Sequence, residues 1–232
     1  MLYYLDSNAY AKNCIPQEIY LDVVRMSNEQ WRNPMAQHAS GLRASEVIEF
    51  ARTNILKTLN APEGAGLFFT NTVTEANLWA CSILKNTNEY VATSSFEHRS
   101  VYDSLNSLNV AYQEIEDVAE KSLAFNKCYI YVQNECGLIS DLKTLRKNTA
   151  HLLFSDISQA VGNMSVDLAD LDLDIATFGA YKFGRPVGVG CLYLKDISNY
   201  VSFGQSDNRY MLDAPGTPNT LAIYLSSIAL DY

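Results

Sequence analysis

Chemically capable side chains recur in this chain immediately after short apolar runs. Asn71, Thr72 and Thr74 follow Gly66 to Phe69, His98 follows Tyr90 to Ser94, and Asn134 follows Cys128 to Val132. Asp156 and Gln159 follow His151 to Ser155, and Lys182 follows Asp174 to Phe178. In a parallel α/β sheet such positions share one edge, the crevice beyond the carboxyl ends of the strands, where ligands bind. The helix opening near Thr72 to Glu75 offers free backbone N–H groups and the positive end of a helix dipole, so a phosphate could sit there. Taken singly, Asp156 reads as a turn cap, Lys182 as a surface lysine and His98 as the start of a helix, because loops after strands are commonly polar for solvation alone. Their joint placement is what points to a site.

Metal chemistry has little to build on. The histidines, His38, His98 and His151, stand at no metal-ligand spacing from each other or from a cysteine. The acidic series Asp167, Asp170, Asp172 and Asp174 has oxygen ligands suited to a hard divalent cation, and reads better as a solvated lead-in to the strand that follows. The five cysteines, Cys14, Cys81, Cys128, Cys136 and Cys191, are odd in number and hold no C-x-x-C pair, so reduced thiols are expected.

The elements that must position these residues are strands alternating with helices. Besides the runs named above, Val110 to Glu114 and Gly190 to Leu194 read as strands. Helical spacing covers Pro16 to Trp31, Leu42 to Leu59 (Val47, Ile48, Ala51, Ile55, Leu59) and Thr74 to Leu84 (Leu78, Cys81, Leu84). The alternation predicts an α/β fold, a three-layer α/β/α sandwich around a mostly parallel sheet. No repeat, low-complexity linker or internal domain boundary interrupts it.

The composition narrows function further. With 48% hydrophobic and 19% charged residues in 232, disorder is excluded as the main state. A net charge of -9 makes nucleic acid and anionic lipid poor partners. No apolar run approaches the roughly 20 residues needed to span a bilayer, and MLYYLDSN lacks the basic start of a signal peptide. A cytoplasmic protein is expected.

Tyr4-Leu5-Asp6 with Ala9, Asn33-Pro34 with His38 and Gly41, and the run from Phe69 to Asn77 (FTNTVTEAN) are followed by Glu97-His98 and by Gln133 to Gly137 (QNECG). Asp156 with Gln159 to Gly162 (QAVG), Lys182 with Pro186 and Gly188-Val189-Gly190, and Gly216-Thr217 complete the series. In that order, over nearly the whole chain, they resemble the large domain of the class V aminotransferases, fold type I pyridoxal phosphate (PLP) proteins, and most of all their cysteine desulfurase (NifS/IscS-like) branch. The resemblance implies Lys182 as the Schiff-base lysine, Asp156 as partner of the pyridine nitrogen and His98 stacked on the ring. It implies Gln159 on the phenolate oxygen and Asn134 fixing the ring. Asn71, Thr72, Thr74 and Tyr181 would lie at the cofactor, Thr74 and nearby amides on its phosphate. Thr217 matches a position that reaches the phosphate of a partner subunit, which implies a homodimer.

The chain departs from that family in three places. The family usually carries Ser-Gly-His before its lysine, both side chains binding phosphate, whereas this sequence has Gly179-Ala180-Tyr181. Weaker cofactor retention is expected, with only the Tyr181 hydroxyl left to donate. The stretch Gln205 to Gly216 is longer than its family counterpart, with Arg185 and Arg209 as candidate phosphate or carboxylate ligands. Family members also continue into a smaller C-terminal domain holding the nucleophilic cysteine and a substrate-gripping arginine. Here residues 1–232 are expected to be one PLP-binding large domain, with 1–40 packing on it and the small domain missing. Cys14 or Cys136 would then have to supply any thiolate. The expected function is PLP-dependent action on a small sulfur amino acid, cysteine first, with a sulfur-acceptor protein as a further partner and with reduced activity. The alternatives are a catalytically inactive dimerisation or partner-binding protein, and half of a split desulfurase.

Overall fold

Strand Gly66–Thr70 (GLFFT) is buried along its whole length, and its alternate residues serve two different cores. Leu67 and Phe69 join one apolar cluster while Phe68 joins another, because successive side chains of a strand leave opposite faces. The computed structural model describes residues 6, 9, 11, 14–87, 89–115, 125–184, 187–198 and 216–232. Tyr4, Leu5, Arg185, Pro186, Arg209 and the stretch 205–215, named above, lie outside the described residues.

The strands are β1 (Gly66–Thr70), β2 (Val91–Thr93), β3 (Tyr112–Glu114), β4 (Asn126–Cys128), β5 (Leu153–Asp156), β6 (Ile175–Gly179) and β7 (Gly190–Leu194). They form one sheet in the order β1-β7-β6-β5-β4-β2-β3. Only β7 runs against its neighbours, so the carboxyl ends of β1, β2, β4, β5 and β6 lie along the same edge. The helices are α1 (Gln17–Gln30), α2 (Ala39–Thr58), α3 (Val73–Asn86), α4 (Arg99–Ser107), α5 (Leu142–Lys147), α6 (Leu168–Leu171) and α7 (Thr220–Ala229). One face of the sheet is covered by α2 and α7, where Ala44, Ile48, Ala51 and Ile55 recur at four, three and four along α2. The other is covered by α3 and α4, with Ala80, Cys81, Leu84, Val101 and Leu105 in the second core. The expected three-layer, mostly parallel α/β/α architecture is therefore present.

One expectation is corrected. The run Cys128 to Val132 belongs to strand only at its start, because β4 covers Asn126–Cys128. Beyond Cys128 the ladder to β5 continues at Tyr129 and Tyr131, but the Ile130 N–H is taken by the side chain of Glu97 at 2.6 Å instead of by β2. The acidic series is solvated as expected, Asp170 being exposed and Asp167, Asp172 and Asp174 partly so, and each carboxylate also has a protein partner. Asp167 caps α6, Asp170 pairs with Lys143 (2.6 Å) and Asp172 with Lys195 (2.5 Å). Asp174 takes Arg146 Nη1 at 2.6 Å and the Leu153 N–H at 2.8 Å. No cluster of potential metal ligands occurs among the described residues.

Candidate active site

The first turn of α3 is a capping box. Thr72 Oγ1 accepts the Glu75 N–H at 3.1 Å, and the Glu75 carboxylate returns to the backbone and side-chain amide of Asn71 at 2.9 and 3.1 Å. The N–H groups of Val73 and Thr74 are left for an outside acceptor, and the Thr74 side chain is exposed beside them. Gly190, at the start of β7, lies against the Thr72 backbone so closely that a Cβ there would overlap it. The glycine lets the helix opening settle on the sheet edge.

Asp156 closes β5 and is only 4% exposed. Its Oδ1 accepts the Ser158 N–H at 3.0 Å, the turn cap anticipated above, and its Oδ2 accepts Asn77 Nδ2 at 3.1 Å. Asn77 reaches down from α3, donates also to Ser100 Oγ at 2.8 Å, and accepts the hydroxyl of Thr177 at 2.5 Å. Thr177 is the residue paired with Asp156 across β5 and β6. Ser100 in turn touches His98, whose Nδ1 caps α4 by accepting the Ser100 N–H at 3.2 Å. The loop carrying His98 is anchored by Glu97, which accepts the Ser94 hydroxyl as well as the Ile130 N–H.

Lys182 lies in a single 3-10 turn, Ala180–Lys182, directly after β6, the strand beside β5. It is half-buried, and burial pushes its pKa down while the charges of Asp156 and Asp6 pull it back up. Its Nζ stands 5.0 Å from the centroid of the Tyr181 ring. The Tyr181 hydroxyl is held protonated by burial and then by the Asp156 charge, so it remains a donor. A Cβ on Gly179 would come within 2.5 Å of Val73 Cγ2 and 2.7 Å of Tyr181 Cε1. The missing side chain at 179 and the large one at 181 are thus two halves of one packing solution.

The sequence-predicted residues fall into two groups. Asp156, His98, Lys182 and Tyr181 are linked by hydrogen bonds or by mutual charge, with Thr72 and Thr74 on the same sheet edge. Asn71 and Thr217 instead line a cavity of about 220 Å³ with Arg52, Phe69, Gly188 and Asn219. Asn134 and Gln159 are half-buried in the loops after β4 and β5, and the neighbouring Gln133 folds its loop by accepting the N–H groups of Glu135 and Cys136. Cys14 donates to the carbonyls of Phe183 and Ala229, both at 3.4 Å, and burial raises its pKa, so its thiol stays protonated. Cys136 is exposed.

Sequence reasoning missed Asn77, Ser100 and Thr177. One signal was available: Asn77 interrupts the apolar stripe Val73, Ala80, Cys81, Leu84 of α3, a place where an amide needs buried partners.

The donor set suits pyridoxal phosphate on structural grounds. A buried carboxylate with only neutral hydrogen-bond partners suits a cationic ring nitrogen, a half-buried lysine feels that carboxylate, and an open helix N-terminus suits an anion. The family model for the class-V aminotransferases matches residues 3–232. The cysteine desulfurase IscS of Plasmodium falciparum is 27% identical over 183 residues, 68% of this chain and 33% of that protein. A solved NifS-like protein superposes with a TM-score of 0.86 at 22% identity, covering 100% of this chain and 69% of its own. A structure of SspA in complex with cysteine superposes with a TM-score of 0.84 at 21% identity, covering 100% and 73%. The chain spans between 33% and 50% of the length of the curated relatives it matches. With the fold, the ordered motifs and the family model in agreement from residue 3 to residue 232, the chain belongs to the class-V aminotransferases.

Proposed function

We propose that this protein binds pyridoxal phosphate and acts on a small sulfur amino acid, cysteine first, with Lys182 as the cofactor-bearing amine. The family and its desulfurase relatives are PLP-dependent. The observation that carries the reading is the half-buried Lys182 within the field of the buried Asp156, on adjoining strand ends. When bound and held by Lys182 and its neighbours, the cofactor would supply an electron sink for the charge that develops on the substrate carbon.

The residues around it have separable tasks. Asp156, its orientation set by Ser158 and Asn77, keeps a negative charge facing the ring nitrogen. Lys182, with its pKa lowered by burial, loses and regains a proton at Nζ more readily than an exposed lysine. His98 offers a flat surface for stacking, and Asn134 and Gln159 supply hydrogen bonds at the ring. The Val73 and Thr74 N–H groups, the Thr74 hydroxyl and the Tyr181 hydroxyl bind phosphate. Asn71, beside the same helix opening, would lie at the cofactor, and Thr217, on the cavity it shares with Asn71, would reach the phosphate of a second copy of the chain in a homodimer. A sulfur-acceptor protein completes the cycle.

Purified protein mixed with pyridoxal phosphate is expected to gain a visible absorption band that Lys182→Ala abolishes. Absence of the band in the wild type overturns the reading. One observation favours a second reading, a partner-binding protein without turnover: Gly179 and Tyr181 stand where the family holds two phosphate donors, and Glu75 sets a negative charge at the helix opening meant for an anion. Sulfide release from cysteine under reducing conditions excludes it.

A further inference from the structure

The Asp156 carboxylate acts as an acceptor at both oxygens, from the Ser158 N–H at Oδ1 and from Asn77 at Oδ2. The atom of Asn77 facing its Oδ2 at 3.1 Å is therefore the amide nitrogen, and the amide oxygen turns to Thr177, whose hydroxyl donates at 2.5 Å. With the amide so oriented, Nδ2 gives its second hydrogen to Ser100 Oγ at 2.8 Å. The serine hydroxyl, having accepted from Asn77, passes its own proton toward His98 Nδ1 at 2.7 Å. The Ser100 backbone N–H, which can only donate, faces the same nitrogen at 3.2 Å. A neutral imidazole whose Nδ1 accepts carries its proton on Nε2. Asn77 and Thr177 are fully buried and Ser100 nearly so, and a buried relay has no water to repair a wrongly directed bond.

We infer that Asn77 is a positioning residue through which the charge on Asp156 sets the direction of this relay and pins His98 as its Nε2–H tautomer. The free edge of the imidazole is then a donor. It has no basic nitrogen to present, so of the two groups assigned to catalysis Lys182 is left as the proton acceptor. The chemical role rests on the proposed function, whereas the direction of the relay follows from hydrogen-bond geometry alone.

The test is a long-range proton–nitrogen correlation spectrum of ¹⁵N-labelled protein without added pyridoxal phosphate, above the pH range in which imidazole titrates. The chain has only three histidines, and the His98 signals are those lost in His98→Gln. A single Nε2–H pattern is expected for His98 in the wild type. Asn77→Leu and Ser100→Ala are each expected to raise the minor Nδ1–H population roughly fivefold, the worth of one net hydrogen bond. Should Asn77→Leu fail to fold, Ser100→Ala keeps the buried amide and the carboxylate and decides alone. An averaged or Nδ1–H pattern in the wild type overturns the inference, as does an unchanged pattern in Ser100→Ala. Failure to take up pyridoxal phosphate would defeat the proposed function and leave this result untouched.

Discussion

Placing serine at position 179, where the family resemblance implies one, should be costly in this chain. The new Cβ would lie 2.5 Å from Val73 Cγ2 and 2.7 Å from Tyr181 Cε1, both well inside contact distance. Val73 sits in the first turn of α3, where a β-branched side chain has one strongly preferred rotamer and cannot swing away. Tyr181 is held by the turn that carries Lys182. Overpacking of this kind costs about 1–3 kcal/mol. For a chain of this size each kcal/mol moves the melting midpoint by about 2–4 °C, so Gly179→Ser is expected to melt roughly 2–12 °C lower. The neighbours should be coupled: the cost of Gly179→Ser falls in a Val73→Ala background and falls again when Tyr181→His is added. That triple variant regains two phosphate donors and is expected to hold pyridoxal phosphate more tightly than the wild type, measured as loss of visible absorbance on dialysis. Thermal melts of the eight combinations give the couplings. A Gly179→Ser protein that melts with the wild type, or whose deficit is the same with and without the Val73→Ala change, would refute the packing account.

Lys182→Met should melt at or above the wild type near neutral pH in cofactor-free protein, because burial lowers the lysine's folded pKa below its unfolded value. Between those two values the unfolded chain holds the extra proton, so wild-type stability rises with pH, and below the folded pKa the whole cost of the buried ammonium is present. The advantage of Lys182→Met should shrink as the pH approaches 10; a constant advantage would disprove the sign. Burial, then the charge of Glu97, pushes the Cys81 thiol up to about 12, and the same two causes raise Cys128 well above the ordinary thiol value. At pH 8 about one Cys81 in 10⁴ would be thiolate even if reachable, so a thiol reagent should label Cys136 rapidly and spare Cys81 and Cys128 until the protein unfolds. Mass mapping of labelled peptides checks this, and early modification of Cys81 would contradict it. Asp174→Asn breaks a half-buried ion pair with Arg146 and is expected to cost about 1.5–3 kcal/mol, read from a denaturant midpoint; no change would show that the pair is solvent-screened.

Most strands were legible because they are short apolar runs between polar residues, unlike β3 (YQE) and β4 (NKC), and Gly190 to Leu194 coincides with β7 residue for residue. What escaped had no such outline. Helix α7 (TLAIYLSSIA) is apolar around almost its whole circumference, wedged between α1 and α2, so it shows no amphipathic stripe to mark it. Helices α5 and α6 are one or two turns long, too short for a period to register. The end of β4 was misplaced because a side chain, Glu97, takes over the role of a neighbouring strand, an exchange that no local pattern announces.

The same division runs through the candidate site. Residues at strand ends could be found from sequence, since the topology of a parallel sheet sends all such ends to one edge. The groups that orient them could not, because they come from the middle of a helix (Asn77), the first turn of the next (Ser100) and the body of a strand (Thr177), and meet only when α3 settles on β6. Asp156 and His98 are 58 positions apart in the chain, yet two intermediaries join them, and each intermediary is buried among apolar neighbours where an unmet hydrogen bond is costly. That cost forces the relay to be complete. A helix residue that looks like a flaw in an apolar stripe is, for the same reason, a pointer to whatever polar group the stripe has been made to cover.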